Sequence, residues 1–153
     1  MKVLLAVDGS DCSDAAVQEI AQRPWPVGTI IKVFSVVEWP HMGAVEPWGL
    51  SNDYFIELDK VQKEKAQAAV DKAIAVFHAH KNLAVEVIST QEMGHVPTTI
   101  LDEAEKWEAD LIVVGSHGYR GFKRFLLGSV AQAIVSHAHC SVEIVRQRQD
   151  SSG

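Results

Sequence analysis

The sequence predicts an α/β protein built on a five-stranded parallel sheet, strand order 3-2-1-4-5, with helices on both faces. Three observations carry that expectation. Lys2–Val7 and Leu111–Val114 are short, unbroken apolar runs rich in branched residues, the pattern of strands buried on both faces. Stretches of helical periodicity separate them from further strand-like runs, giving the order β-α-β-α-β-α-β-α-β, which calls for a parallel sheet covered by helices on each side. Right-handed crossovers then leave few arrangements, and 3-2-1-4-5 is the simplest with five strands.

The elements follow in order. Lys2–Val7 ends at Asp8-Gly9-Ser10, a turn signal that leaves a carboxylate at the carboxyl end of the strand. Ser10 or Ser13 is placed to cap the next helix, whose apolar positions Ala16, Val17, Ile20 and Ala21 form one stripe; Pro24 and Pro26 stop it. Thr29–Val37 reads as a strand. Residues 38–52, with Pro40, Gly43, Pro47 and Gly49, read as a long loop carrying Trp39 and Trp48, suited to a lid or a contact surface. From about Asp53 to His80 the pattern is helical, with Leu58, Val61, Ala68, Ala69, Ala73, Ile74, Val76 and Phe77 at three- and four-residue steps. Leu83–Thr90 is a fourth strand. Gly94 and Pro97 mark a turn into a helix lined by Ile100, Leu101, Ala104 and Trp107. After the strand at 111–114 come a glycine loop, a helix from Ser129 to about His137, and a last strand, Ser141–Arg146. Residues 1–147 form one domain in this reading, and 148–153 a disordered tail.

Composition excludes several classes. At 153 residues, with 47% hydrophobic and 22% charged residues, the chain can bury a real core. No apolar run approaches the roughly 20 residues that span a bilayer. Met1 leads straight into a strand without a signal-peptide layout, so the expected location is cytoplasmic. Two cysteines, Cys12 and Cys140, make no disulfide framework. A net charge of −6 argues against nucleic-acid binding, and nothing points to a membrane.

In a 3-2-1-4-5 sheet the winding reverses between the first and fourth strands, and ligands of open α/β sheets bind at the strand ends flanking that point. Those ends are Asp8 and the loop of Gly115, Gly118 and Gly121, followed by Gly128-Ser129 at a helix start. Glycines let backbone N–H groups approach a ligand, and a helix opening adds unpaired N–H groups and a positive dipole end, so residues 115–130 suit the phosphates of a nucleotide. Asp8 suits a ribose hydroxyl or Mg²⁺. Arg120, with Lys123 and Arg124, is placed to neutralise phosphate charge, and His117 between two glycines to touch a phosphate. The plainer alternatives are a tight strand–helix turn without ligand, a capping Asp8 and a solvated basic surface. Neither Gly-x4-Gly-Lys-Ser/Thr nor a Gly-x-Gly-x-x-Gly after the first strand is present, against an ordinary P-loop and a dinucleotide fold. His78-Ala-His80 and His137-Ala-His139-Cys140 lack the spacing of a zinc site.

Val-Asp-Gly-Ser at 7–10, Gly94-His-Val-Pro97 followed by Ile100, and above all Gly115-x2-Gly118-x9-Gly128-Ser129 resemble the universal stress protein family, in its ATP-binding branch, over nearly the whole chain. The resemblance implies an adenine nucleotide alpha hydrolase-like α/β sandwich, homodimerisation, and binding of ATP or another adenine nucleotide with Mg²⁺. It places phosphate contacts on Gly115, Gly118, Gly128, Ser129 and Val130, and the ribose- and metal-side carboxylate on Asp8. It places the adenine-facing backbone on Val36, and part of the floor on Ala6 and Val7. Ser141 stands where the family usually has proline, and Glu143 is a polar intrusion in the strand that often pairs between subunits. No general base stands out, so a nucleotide-dependent sensor or regulator is the expectation. A slow ATP hydrolase and a protein-interaction module are the alternatives.

Overall fold

The computed structural model describes residues 1–38, 52–80, 85–118 and 126–147. Along them run β1 (Lys2–Ala6), α1 (Asp11–Gln22), β2 (Thr29–Glu38), α2 (Asn52–Ala79) and β3 (Val85–Gly94). They are followed by α3 (Val96–Lys106), β4 (Leu111–Gly115), α4 (Ser129–His137) and β5 (Ser141–Val145). The strands form a single five-stranded sheet in the order β3-β2-β1-β4-β5, and every pairing is parallel, as the sequence predicts.

The pleat sorts the central strands into two cores. Val3 and Leu5 of β1, Ile31 and Val33 of β2 and Val113 of β4 point to one face, where Ala16, Val17 and Ile20 of α1 and Val70, Ala73 and Phe77 of α2 cover them. Leu4, Phe34, Ile112 and Val114 point to the other, against Ile100 and Ala104 of α3 and Ala131 and Ile134 of α4. Leu4, Leu5, Phe34 and Ile112 are all fully buried, each worth about 1.5–3 kcal/mol of transfer free energy. β1 and β4 read as unbroken apolar runs because both of their faces are covered.

Several boundaries differ from expectation. β2 takes in Glu38, and β3 runs on to Gly94 rather than stopping at Thr90, because backbone pairing continues to Glu38↔Gly94. Gln91 and Glu92 are polar residues on an edge strand, so side-chain pattern alone ends the strand too early. β1 stops at Ala6, although Val7 still donates its N–H to Phe34 at 2.8 Å, and β5 stops at Val145. In α2 the buried stripe is Ala66, Ala69, Val70, Ala73 and Phe77; Val61 is 48% exposed and Ala68 also faces outward. Among the described residues the buried positions of α2 begin at Ala66, and Phe55 and Leu58 of its first turns are half-buried. Trp39, Trp48 and most of the expected loop lie outside the described residues, as do Leu83 and the tail at 148–153.

Glu143 is explained by a partner. The Arg23 guanidinium at the end of α1 grips it with both nitrogens, at 2.6 and 2.8 Å, and stacks 5.3 Å from the Trp25 ring centroid. This bond holds the Glu143 carboxyl below the usual carboxylate range. Among the described residues no helix is long and apolar enough to cross a membrane.

Candidate functional site

β1 and β4 are neighbours, and the chain leaves them toward opposite faces, which opens a crevice at their carboxyl ends. On the β1 side, Gly9 takes φ +77°, a left-handed conformation that suits glycine. Asp8 Oδ1 accepts the Ser10 N–H at 2.8 Å, and Asp8 N–H donates to Ser13 Oγ at 3.2 Å. Ser10, not Ser13, caps α1, its Oγ accepting the Ser13 N–H at 3.3 Å. Asp8 therefore does hold the turn, but with one oxygen only.

On the β4 side, three glycines meet three different neighbours. A Cβ on Gly115 would lie 2.7 Å from the carbonyl carbon of Cys12 and 2.8 Å from Ser13 N, so the first turn of α1 packs where a side chain would be. A Cβ on Gly118 would lie 2.8 Å from Asp8 Oδ2, which brings the second carboxylate oxygen over the glycine loop. A Cβ on Gly128 would lie 3.2 Å from the Ser116 carbonyl oxygen and 3.3 Å from His117 Cα. None of the three takes a positive φ: the close approach, not a left-handed turn, is what demands glycine.

Gly128 is the N-cap of α4 and supplies no side chain. Its own N–H donates to the Ser116 carbonyl at 2.8 Å and is engaged within the protein. The first intrahelical bond runs from Gln132 N–H to Gly128 C=O at 3.0 Å, so the N–H groups of Ser129, Val130 and Ala131 are those left without helical acceptors. They sit at the positive end of the helix dipole.

These segments border one cavity of about 810 Å³. It brings together Ala6, Val7, Asp8, Val36, Gly115, His117, Gly118, Gly128, Ser129 and Val130. Arg120, Lys123 and Arg124 lie outside the described residues. Phe34, Val36, Val96, Ile100 and Val114 give the cavity an apolar side; Asp8, Ser10, Ser116 and Ser129 give it a polar one. Sequence reasoning missed Phe34, Glu38, Gln62, Lys65 and His95 as lining residues, while Ser116 fell within the expected 115–130 stretch without being singled out. The entry to α3 at Gly94–Pro97 was the available signal for His95; nothing local marks Gln62 and Lys65, which arrive from α2. A shallower groove of about 500 Å³, lined by Val37, Lys63, Gln67 and Met93, lies between α2 and β3.

His117 binds the site together. Its carbonyl accepts from Ser10 Oγ at 3.4 Å, and its Nδ1 is 3.1 Å from Ser116 Oγ. Its Nε2 is buried and, among the described residues, is the one side-chain nitrogen or oxygen so placed without a partner. No cluster of three or more His, Cys, Asp or Glu suited to a metal occurs among the described residues, so a cation here would rest on Asp8 and on whatever the ligand brings.

Comparison with known proteins gives a consistent picture. The family model described as "Universal stress protein family" matches residues 1–146. A universal stress protein of Methanocaldococcus jannaschii is 33% identical over 153 residues, covering 95% of this chain and 82% of its own length. A Mycobacterium tuberculosis universal stress protein is 34% identical over 94% of this chain, which spans 47% of that relative's length. Among solved structures, the universal stress protein UspA from Lactobacillus plantarum aligns with TM-score 0.73 and 25% identity over 95% of this chain and 97% of its own. A family member from Arabidopsis thaliana, solved with AMP bound, aligns with TM-score 0.69 and 19% identity over 100% of this chain and 95% of its own. On the family match over nearly its whole length, this chain belongs to the universal stress protein family.

Proposed function

We propose that this chain binds an adenine nucleotide, ATP accompanied by Mg²⁺, in the cavity at the carboxyl ends of β1 and β4, and acts as a nucleotide-dependent sensor or regulator in the stress response. One observation carries the reading: the uncapped amide end of α4, the free oxygen of Asp8 and an apolar slot open into the same cavity. The phosphates rest on the N–H groups of Ser129 and Val130 and on the loop at Gly115 and Gly118, with Gly128 allowing the close approach. Arg120 and His117 add phosphate contacts. The adenine lies against Val36, over Ala6 and Val7. AMP in the Arabidopsis relative supports an adenine ligand. Asp8 Oδ2 is one hard oxygen donor, and Mg²⁺ prefers one or two carboxylates together with phosphate oxygens, so the residues fit the ion. When bound, Mg²⁺ offsets charge between Asp8 and the phosphates.

The protein works in the cytoplasm as a homodimer in this reading. Binding and sensing, rather than turnover, is its role; slow hydrolysis is the alternative within the same site. The packing of Gly115 against α1 gives that glycine a structural task beside its phosphate contact, a feature that an interaction module without a ligand would share. A thermal shift decides. ATP with Mg²⁺ at 100 times its Kd adds about 2.7 kcal/mol of stability. A melting temperature unmoved by millimolar ATP, with or without Mg²⁺, and by AMP would overturn the reading.

A further inference from the structure

A buried ion pair lies directly beneath the cavity. Lys32 of β2 and Glu103 of α3 meet at 2.6 Å with side chains 11% and 5% exposed. Lys32 Nζ also stands 4.4 Å from the Trp107 ring centroid. On β2, Lys32 shares a pleat face with Phe34 and Val36. On α3, Glu103 follows Ile100 by three residues and so shares its face. Phe34, Val36 and Ile100 all line the cavity, which makes the pair the next layer below its floor.

Stability is a weak reason for such a pair, because well-packed apolar residues of similar volume are often as stabilising. Its directionality is the better one. The buried side chains of α3 are Ile100, Glu103 and Ala104, and His95 at its N-cap makes no side-chain cap hydrogen bond. Contacts through Ile100 and Ala104 are non-directional and specify the placement of the helix by shape alone. An ion pair closed at 2.6 Å between a strand and a helix joins two defined atoms and so favours one placement of the helix over its neighbours. We propose that Lys32 and Glu103 are positioning residues: they set where α3 sits along the sheet, and so where Val96, Pro97 and Ile100 stand as the cavity wall. The ligand part of this claim rests on the nucleotide reading above; the placement of α3 does not.

The experiment compares the wild type with Lys32→Met/Glu103→Leu, an apolar pair of similar volume. The double variant is expected to melt cooperatively within a few degrees of the wild type. Without ligand, its hydrogen-bonded amides from Thr99 to Leu101 are expected to exchange at least tenfold faster. Its affinity for ATP with Mg²⁺ is expected to fall at least tenfold. Glu103→Asp keeps the charge but shortens its reach by one methylene; it is expected to show the same two effects more weakly, and carries the test if the double variant does not fold. Wild-type exchange at α3 together with wild-type affinity would overturn the proposal. If the wild type itself binds no ATP, the nucleotide reading falls, and the exchange rates still decide whether the pair places the helix.

Discussion

Gly115→Ala and Gly118→Ala, three positions apart, should have opposite consequences. At Gly115 the new methyl would meet backbone atoms of Cys12 and Ser13 at 2.7 and 2.8 Å, in the first turn of a helix that cannot fold away locally. Overpacking of this kind costs about 1–3 kcal/mol. At about 2–4 °C per kcal/mol for a chain of this size, the expected fall in melting temperature is roughly 2–12 °C. At Gly118 the methyl meets only Asp8 Oδ2, the end of a side chain that can turn aside, and the position is exposed. Its stability should fall by about 1 kcal/mol at most, the worth of the Asp8 Oδ1–Ser10 N–H bond that such a turn would loosen. Yet turning Asp8 away removes the free oxygen from the glycine loop, so the shift produced by ATP and Mg²⁺ should shrink or vanish. Calorimetry of both variants, with and without the nucleotide, reads all four numbers. A Gly115→Ala variant that melts with the wild type, or a Gly118→Ala variant that keeps the full ligand shift, would refute the separate roles given to the two glycines.

Arg23→Ala should remove a contribution that depends on pH. Glu143 titrates below its ordinary value in the fold, so the pair's stabilisation is fully present above the unfolded value of about 4.3 and is lost as pH falls through the lower folded value. Both side chains are about 30% exposed, at 30% and 29%, so the pair is worth about 1 kcal/mol or less. Melting curves of wild type and variant should differ at pH 7 and draw together only as pH falls past the unfolded value and through the lowered folded one; a gap that persists in strong acid would show that lost packing, not charge, is responsible. Ser10→Ala removes the α1 cap and the link to the His117 carbonyl, and should lower urea stability by about 1 kcal/mol. Single-turnover phosphate release from ATP should stay near the uncatalysed rate in both wild type and Asp8→Ala; fast release lost in the variant would favour the hydrolase alternative.

What the sequence discloses about this fold tracks how locally each feature is caused. The buried strands are legible because both faces of β1, β2 and β4 meet helices, which makes β1 and β4 nearly unbroken apolar runs and leaves β2 mostly apolar. The α1 stripe of Ala16, Val17, Ile20 and Ala21 is legible for the same reason, and all four are buried. β3 is legible only in part: its last residues are polar and are held by backbone bonds to β2, which leave no trace in side-chain periodicity. Lys32 is the sharpest case. It interrupts an apolar strand, and its partner is 71 residues away on another element, so no local pattern announces that both charges are buried. The strand-end residues of the cavity are legible through topology, since the switch point names Asp8 and the loop after β4 together. The contribution of α2, through Gln62 and Lys65, depends on where a long helix happens to cross the sheet.

The glycine spacing that marks the site is better explained by crowding than by flexibility. If freedom of φ were the requirement, Gly115, Gly118 and Gly128 would sit in the left-handed region, as Gly9 does at +77°. Instead each fills a place where a methyl group would strike a different segment: the first turn of α1, the carboxylate of Asp8, and the backbone of Ser116 and His117. Three chain segments distant in sequence must therefore pass within contact distance of one another at the switch point. With Gly118 against Asp8 and Gly128 against Ser116 and His117, uncapped N–H donors of α4 and a carboxylate oxygen stand on the rim of one cavity. The same crowding explains why the three glycines should differ under mutation. Gly115 is pressed by backbone and should answer in stability, whereas Gly118 is pressed by the Asp8 carboxylate and, in the nucleotide reading proposed above, should answer in ligand binding.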